Sequence, residues 1–286
     1  MFDSIIIGAG PSGLSAAIYL KNANKNILVI EKSTPGGKIL KAKKINNYLG
    51  MENLSPDEIA YNMYKQVIDL DVKISSEKVL KIEKLEDKIK VITNKNEYFT
   101  KTILLSCGRI EKGLDININD DILGISYCAT CDGSLYKNKV VTVIGNNLES
   151  KQDTIYLSSI TKSINYINYS KDDITFPQDN IKVFNNKKII NINTVDNKIT
   201  SIVLDDNNVL ETDGLFILNG YTPNSEFINN LDLKLDNGYI VVDKNMKTNI
   251  DGIYASGDII KKDLYQIVTA ASEGAVAAIS IIKDLK

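Results

Sequence analysis

Residues 4–20 read SIIIGAGPSGLSAAIYL. A β-branched run from Asp3 to Ile7 ends at Gly8, and the apolar residues after Gly13 recur at helical spacing, so three glycines sit at a strand-to-helix turn. Gly8 permits the tight turn, Gly10 lets backbone approach a pyrophosphate, and Gly13 allows close packing of the helix. Pro11 and Ser12 open that helix, whose N-terminus would face the anion. The next apolar run, NILVIEK at 26–32, ends in Glu31, placed to accept a ribose hydroxyl, with Lys32 beside it. Strand, loop, helix, strand and terminal acid in this order predict an α/β dinucleotide site. The acid favours a free 2′-hydroxyl, hence FAD or NAD over NADP.

The chain has 286 residues, more than one average domain, and 43 % hydrophobic content supports a sizeable core. A net charge of −2 gives no bulk reason to expect nucleic acid. The sequence opens on strand-like residues without a cationic leader, and it lacks a long apolar run, so the expectation is a cytoplasmic protein with no membrane segment. Histidine is absent, which removes imidazole as a catalytic base or metal ligand. Arginine occurs once, at Arg109, among 34 basic residues, so bidentate guanidinium recognition of phosphate is nearly unavailable.

In the middle, SYCATCDGSLY at 126–136 holds Cys128 and Cys131. Two thiols separated by two residues can form a small-ring disulfide whose exchange depends on thiolate stability. Zinc would want four ligands, and only Cys107 remains, so the pair reads as redox-active with no metal. Exchange needs a proton donor and acceptor, and without histidine Asp132 is the nearest candidate. The alternative is that Asp132 and Gly133 simply make a turn.

Near the C-terminus, residues 248–282 place an apolar strand before Gly257 and Asp258, then a helix rich in small residues. This resembles the second FAD signature of two-dinucleotide-domain flavoproteins, with the acid at the ribityl and pyrophosphate region and the helix N-terminus toward the flavin. Together CATCDG, GAGPSGLSAAIYL, GGKILKAKKINNYLG, NGYTPN, GIYASGD and YQIVTAASEGAVAA resemble the low-molecular-weight thioredoxin reductases over nearly the whole chain.

The resemblance implies an α/β fold of two Rossmann-like domains, the second inserted into the first: FAD-binding residues 1–112 and 242–286, and a CxxC domain at 113–241. It implies hinges near 108–113 and 237–243, rotation between the domains, and a homodimer. FAD would contact the glycine loop and Glu31 with Lys32, then Gly37, Lys38, Ile39 and Asn47, then Val79 and Gly108, and finally Gly257, Asp258, Tyr265, Gln266 and Ile267. Cys131 would exchange electrons with FAD, and Cys128 would form the mixed disulfide with thioredoxin. Tyr265 stands where the family usually has a basic residue, and it would either stack on the isoalloxazine or only pack.

The match fails in the inserted domain. VVTVIGNNLES at 140–150 starts like a second dinucleotide unit, but Asn147 and Ser150 stand where glycines are expected after Gly145. Further on, Asn168, Tyr169 and Ser170 replace the family's basic run for a 2′-phosphate, leaving Lys171 as one point charge. This is similar to the ferredoxin-dependent flavin thioredoxin reductases, which keep FAD and CxxC but lack NADPH motifs. The expected donor is therefore ferredoxin, and Lys38, Lys41, Lys43 and Lys44 form either its landing site or a solvated face. Retained NADPH use at a divergent site, a flavodoxin-type donor and a flavin sensor without turnover are the alternatives. The residues between 181 and 212 read as a Lys/Asn-rich meander of partly exposed strands.

Overall fold

The computed structural model describes residues 1–42, 44–116 and 122–286. Those residues separate into two compact units, 1–110 with 223–286, and 111–222.

Unit 1 begins with β1 (Phe2–Ile7), α1 (Pro11–Asn22), β2 (Ile27–Glu31), α2 (Pro56–Ile68) and β3 (Lys73–Ser76). It continues through β4 (Val79–Lys84), β5 (Ile89–Thr93) and β6 (Glu97–Leu105), and the chain leaves it in β7 (Arg109–Glu111). In the sheet, β1 lies between β2 and β6, parallel to both, and β3 continues the parallel set beyond β2. Ile253–Ala255 pairs in parallel with the end of β6, while β4 and β5 add an antiparallel ribbon to its start. Every residue of β2 and the last four of β1 are buried, which is why these strands are continuous apolar runs rather than alternating ones.

In unit 2, β8 (Ile125–Ser126) leads into a short helix, α3 (Ala129–Asp132), then β9 (Val140–Ile144), α4 (Leu148–Ser158), β10 (Ser163–Asn168) and β11 (Ile181–Asn185). After β12 (Ile189–Val195), β13 (Lys198–Leu204) and β14 (Val209–Glu211) comes β15 (Gly214–Ile217). The order β11-β10-β9-β15-β8 is a parallel five-stranded sheet, and β12-β13-β14 is a separate antiparallel one. The meander therefore spans 189–211 only. Ile181 to Asn185 pairs with β10 and belongs to the parallel sheet.

The chain returns through β16 (Tyr221–Pro223), then β17 (Leu235–Asp236), β18 (Tyr239–Ile240), β19 (Ile253–Ala255) and α5 (Ile267–Asp284). Here the structure differs from the expected end of the insertion near 241, because residues 223–241 pack with unit 1. Ile228, Leu233 and Ile240 are buried in one cluster with Ile5, Leu28, Ile82 and Ile103. Burying three such side chains is worth roughly 1.5–3 kcal/mol each, enough to fix the segment to that core.

Candidate functional site

The first loop is built as the glycine spacing requires. Gly8 has φ +104°, and a Cβ on it would lie 2.5 Å from the Ser106 carbonyl oxygen, so only glycine fits. A Cβ on Gly10 would meet nothing within 4 Å. Gly10 also begins α1 with no side-chain cap, and no acid lies in the first turn. The helix N-terminus is thus open to an anion. Glu31 is buried, and its carboxylate accepts from the backbone N–H of Ala9 at 2.8 Å and of Ser33 at 2.9 Å. A cleft of about 280 Å³ is lined by Gly8, Glu31, Lys32 and Val79, all expected to contact the cofactor, together with Glu77 and Cys107.

Two of these need comment. Burial works to raise the pKa of Glu77, but hydrogen bonds from Ser75, Thr93, Tyr98 and Asn96 outweigh it and hold the carboxyl at about 2. Burial pushes the Cys107 thiol up to about 12, and its Sγ lies 3.2 Å from the Asn224 carbonyl.

The 3₁₀ turn Gly37–Lys41 rests on that loop. Gly36 N–H donates to Ala9 O at 2.8 Å, and a Cβ on Gly37 would lie 3.4 Å from Gly10 Cα. Lys38 is half-buried, Ile39 is buried, and Asn47 donates to the Gln266 side chain at 3.0 Å. Gln266 caps α5, and Ile267 is that helix's first residue. Gly108, at φ +68°, accepts from Asn224 N–H and precedes β7. The closing segment is tied to the first turn of α1 by a 2.6 Å hydrogen bond between the Ser256 and Ser12 hydroxyls. The cradle is thus lined by open glycine backbone and buried carboxylate, which suits the adenosine and diphosphate of FAD.

Around Asp258 the structure gathers residues that sequence reasoning missed. Arg109 Nε lies 3.8 Å from Asp258 Oδ2, and Lys262 Nζ lies 3.4 Å from Oδ1. Lys262 also pairs with Glu273 at 2.8 Å, which in turn accepts from Gly257 N–H at 3.0 Å. Burial raises the pKa of Glu273, with Lys262 and Gly257 opposing. The Arg109 guanidinium carbon sits 3.6 Å over the Tyr265 ring, and Nη1 donates to Tyr239 Oη at 3.4 Å. One face of Tyr265 is therefore already covered by a cation. The one available signal was that Arg109 is the sole arginine.

Cys128 and Cys131 are joined in a disulfide at the start of α3, and both are half-buried. The backbone N–H of Cys131 donates to Cys128 Sγ at 3.2 Å, and Thr130 Oγ1 lies 3.5 Å from the same sulfur. Asp132 accepts from Ser126 Oγ at 2.7 Å, and Ser126 Oγ in turn accepts from Cys128 N–H at 3.1 Å. The carboxylate is thus fixed to the turn that carries the disulfide.

The second loop differs from the first in chemistry as well as in glycine count. Asn147 Oδ1 accepts from Ser150 N–H at 2.7 Å, and Ser150 Oγ accepts from Asn147 N–H at 3.1 Å, a reciprocal cap on α4. Tyr166 Oη donates to Gly145 O at 2.9 Å and lies 3.1 Å from Ser150 Oγ. Glu149 occupies the first turn. After β10, fully buried Asn168 binds Asp172 O, Asn185 Oδ1 and Ser170, closing the next loop on itself.

Two Rossmann-like units with a glycine-loop cradle and a Cys128–Cys131 disulfide point to a disulfide oxidoreductase. Residues 2–274 match the family model described as pyridine nucleotide-disulphide oxidoreductase. A thioredoxin reductase from Ureaplasma parvum is 36 % identical over 98 % of this chain and 95 % of its own length. The thioredoxin reductase of Streptococcus pyogenes superposes with a TM-score of 0.92 at 29 % identity, covering 98 % of this chain and 97 % of that one. A ferredoxin-flavin thioredoxin reductase from Clostridium acetobutylicum gives 0.57 at 32 % identity, covering 99 % and 98 %. The chain belongs to the pyridine nucleotide-disulphide oxidoreductases and is a flavin disulfide oxidoreductase of the thioredoxin reductase type, with FAD as its cofactor. Among the described residues, no helix is long and apolar enough to cross a membrane.

Proposed function

We propose that this reductase draws electrons from reduced ferredoxin rather than from a pyridine nucleotide, and passes them to thioredoxin or a thioredoxin-like protein. The observation that carries this reading is the cap on α4. A phosphate-binding turn needs outward-facing backbone N–H groups at a helix N-terminus. On α4 the N–H groups of Asn147 and Ser150 are bonded to each other's side chains, and Glu149 adds negative charge beside them. On α1 neither obstacle exists. The loop after β10 is likewise closed by hydrogen bonds between Asn168 and both Ser170 and Asp172.

Bound FAD supplies what a one-electron donor and a two-electron acceptor jointly require, since it holds either one or two electrons. The driving force is adequate: a plant-type ferredoxin and a thioredoxin differ by roughly 130 mV, about 6 kcal/mol for two electrons. Two electrons and two protons open the Cys128–Cys131 bond. The Cys128 thiolate attacks the partner disulfide, forming a mixed disulfide and releasing one partner thiolate. Cys131 then attacks Cys128 Sγ, re-forming the intrachain bond and releasing the second partner thiolate. Asp132, anchored by Ser126, takes up and returns the proton at this turn.

A second reading, NADPH as donor, is favoured by the family description and by relatives named simply thioredoxin reductase. Anaerobic stopped-flow mixing separates the two. Reduced ferredoxin should bleach the oxidised flavin within seconds, and NADPH and NADH should not. Fast bleaching by NADPH would end the ferredoxin proposal.

Lys41 and Lys44 are exposed on the segment that contacts the glycine loop; Lys43 lies outside the described residues. Ferredoxins are acidic, and charge at a rim acts on association rate. The double exchange Lys41→Glu with Lys44→Glu should slow ferredoxin-driven flavin reduction about tenfold at low salt and flatten its ionic-strength dependence. An unchanged rate would leave these lysines as a solvated face.

A further inference from the structure

The closing segment brings two carboxylates, Asp258 and Glu273, toward the place where a dinucleotide's diphosphate rests. Ser256 is hydrogen-bonded to Ser12 in the first turn of α1, and a Cβ on Gly257 would lie 2.9 Å from Ser12 Cβ. Asp258 follows directly. A diphosphate at the open N-terminus of α1 therefore approaches Asp258 and Glu273, and repulsion between like charges grows as water is excluded.

Two cations offset those carboxylates. Lys262 lies within 3.4 Å of Asp258 and 2.8 Å of Glu273. The Arg109 side chain is only 6 % exposed, faces Asp258 at 3.8 Å, and has its guanidinium carbon 3.6 Å from the centre of the Tyr265 ring. Charge-assisted hydrogen bonds run about 2.7–2.9 Å, so both contacts to Asp258 are looser than a closed ion pair. Such a buried arrangement keeps its cationic charge at every accessible pH, because a guanidinium does not deprotonate. Arg109 also reaches this cluster from the first residue of β7, about 150 positions away in sequence from Asp258, so proximity in the chain does not explain the pairing.

We propose that Arg109 is a cofactor-binding residue whose guanidinium, fixed by Tyr265 and Tyr239, supplies the counter-charge that lets FAD diphosphate sit beside Asp258 and Glu273. Lys262 completes the balance. The proposal concerns the cofactor alone and stands whichever donor reduces the flavin.

The test uses the full chain stripped of flavin and titrated by fluorescence quenching with FAD and with riboflavin, which lacks phosphate. Arg109→Gln should weaken FAD binding about tenfold or more, with the difference shrinking at high salt, while riboflavin binding stays as in the parent. Arg109→Lys, which keeps charge without the planar stack, should recover part of the loss. Unchanged FAD affinity would overturn the proposal. Equal weakening of FAD and riboflavin would also overturn it, since Arg109 would then only prop Tyr265 in place. If Arg109→Gln does not fold, Lys262→Gln removes the other cation and carries the same expected pattern.

Discussion

Replacing Cys128 by serine abolishes disulfide turnover by at least about 10³-fold while flavin content stays that of the parent, and replacing Cys131 does the same with one difference. Cys128 Sγ receives the N–H of Cys131 and lies beside the Thr130 hydroxyl, so a thiolate there is stabilised once the disulfide opens. These contacts support the proposed role of Cys128 as the sulfur that attacks the partner. With Cys131→Ser the attack still proceeds but nothing resolves it, and a covalent adduct with the partner accumulates. With Cys128→Ser no adduct forms. Mass spectrometry of each variant incubated with oxidised thioredoxin reads this directly. An adduct on the Cys128→Ser protein, and none on the other, would reverse the assignment.

What the sequence made legible was local. The apolar runs of β1 and β2 and the glycines between β1 and α1 stand within 30 residues of one another, and each carries its own physical requirement. CxxC is local in the same sense. Asn147 and Ser150 were readable as obstacles to a phosphate, but their reciprocal hydrogen bonds follow from helix capping, which the comparison with glycine had hidden.

The rest depended on contacts between distant segments. After β16, residues 224–241 contain only a 3₁₀ turn and two-residue strands, so no periodicity announces that Ile228, Leu233 and Ile240 enter the first core. Arg109, Tyr239, Lys262 and Tyr265 come together across more than 150 positions, and no spacing rule links them. Tyr265 shows the limit well: its neighbourhood in sequence left stacking on flavin and simple packing equally open, and the guanidinium on its ring is a tertiary fact.

Two glycine-to-alanine exchanges separate holding the fold from holding the cofactor. A Cβ on Gly274 would lie 2.0 Å from Ser12 O and 2.8 Å from Ser12 C, both backbone atoms that cannot turn aside. Gly274→Ala must therefore push α5 away from α1, at a cost of roughly 3 kcal/mol or more, breaking the Ser12–Ser256 bond and with it the closing half of the cradle. Thermal unfolding should fall by several degrees, with loss of flavin. Gly10 is the opposite case. Its φ of −81° suits any residue, and a Cβ there would meet nothing within 4 Å of protein, so Gly10→Ala should leave stability within about 0.5 kcal/mol of the parent. The added methyl instead projects into the space kept for diphosphate, and FAD affinity should drop tenfold or more. Parent-like FAD binding by the Gly10→Ala protein would mean that the glycine loop is a packing turn and that the cofactor is held elsewhere.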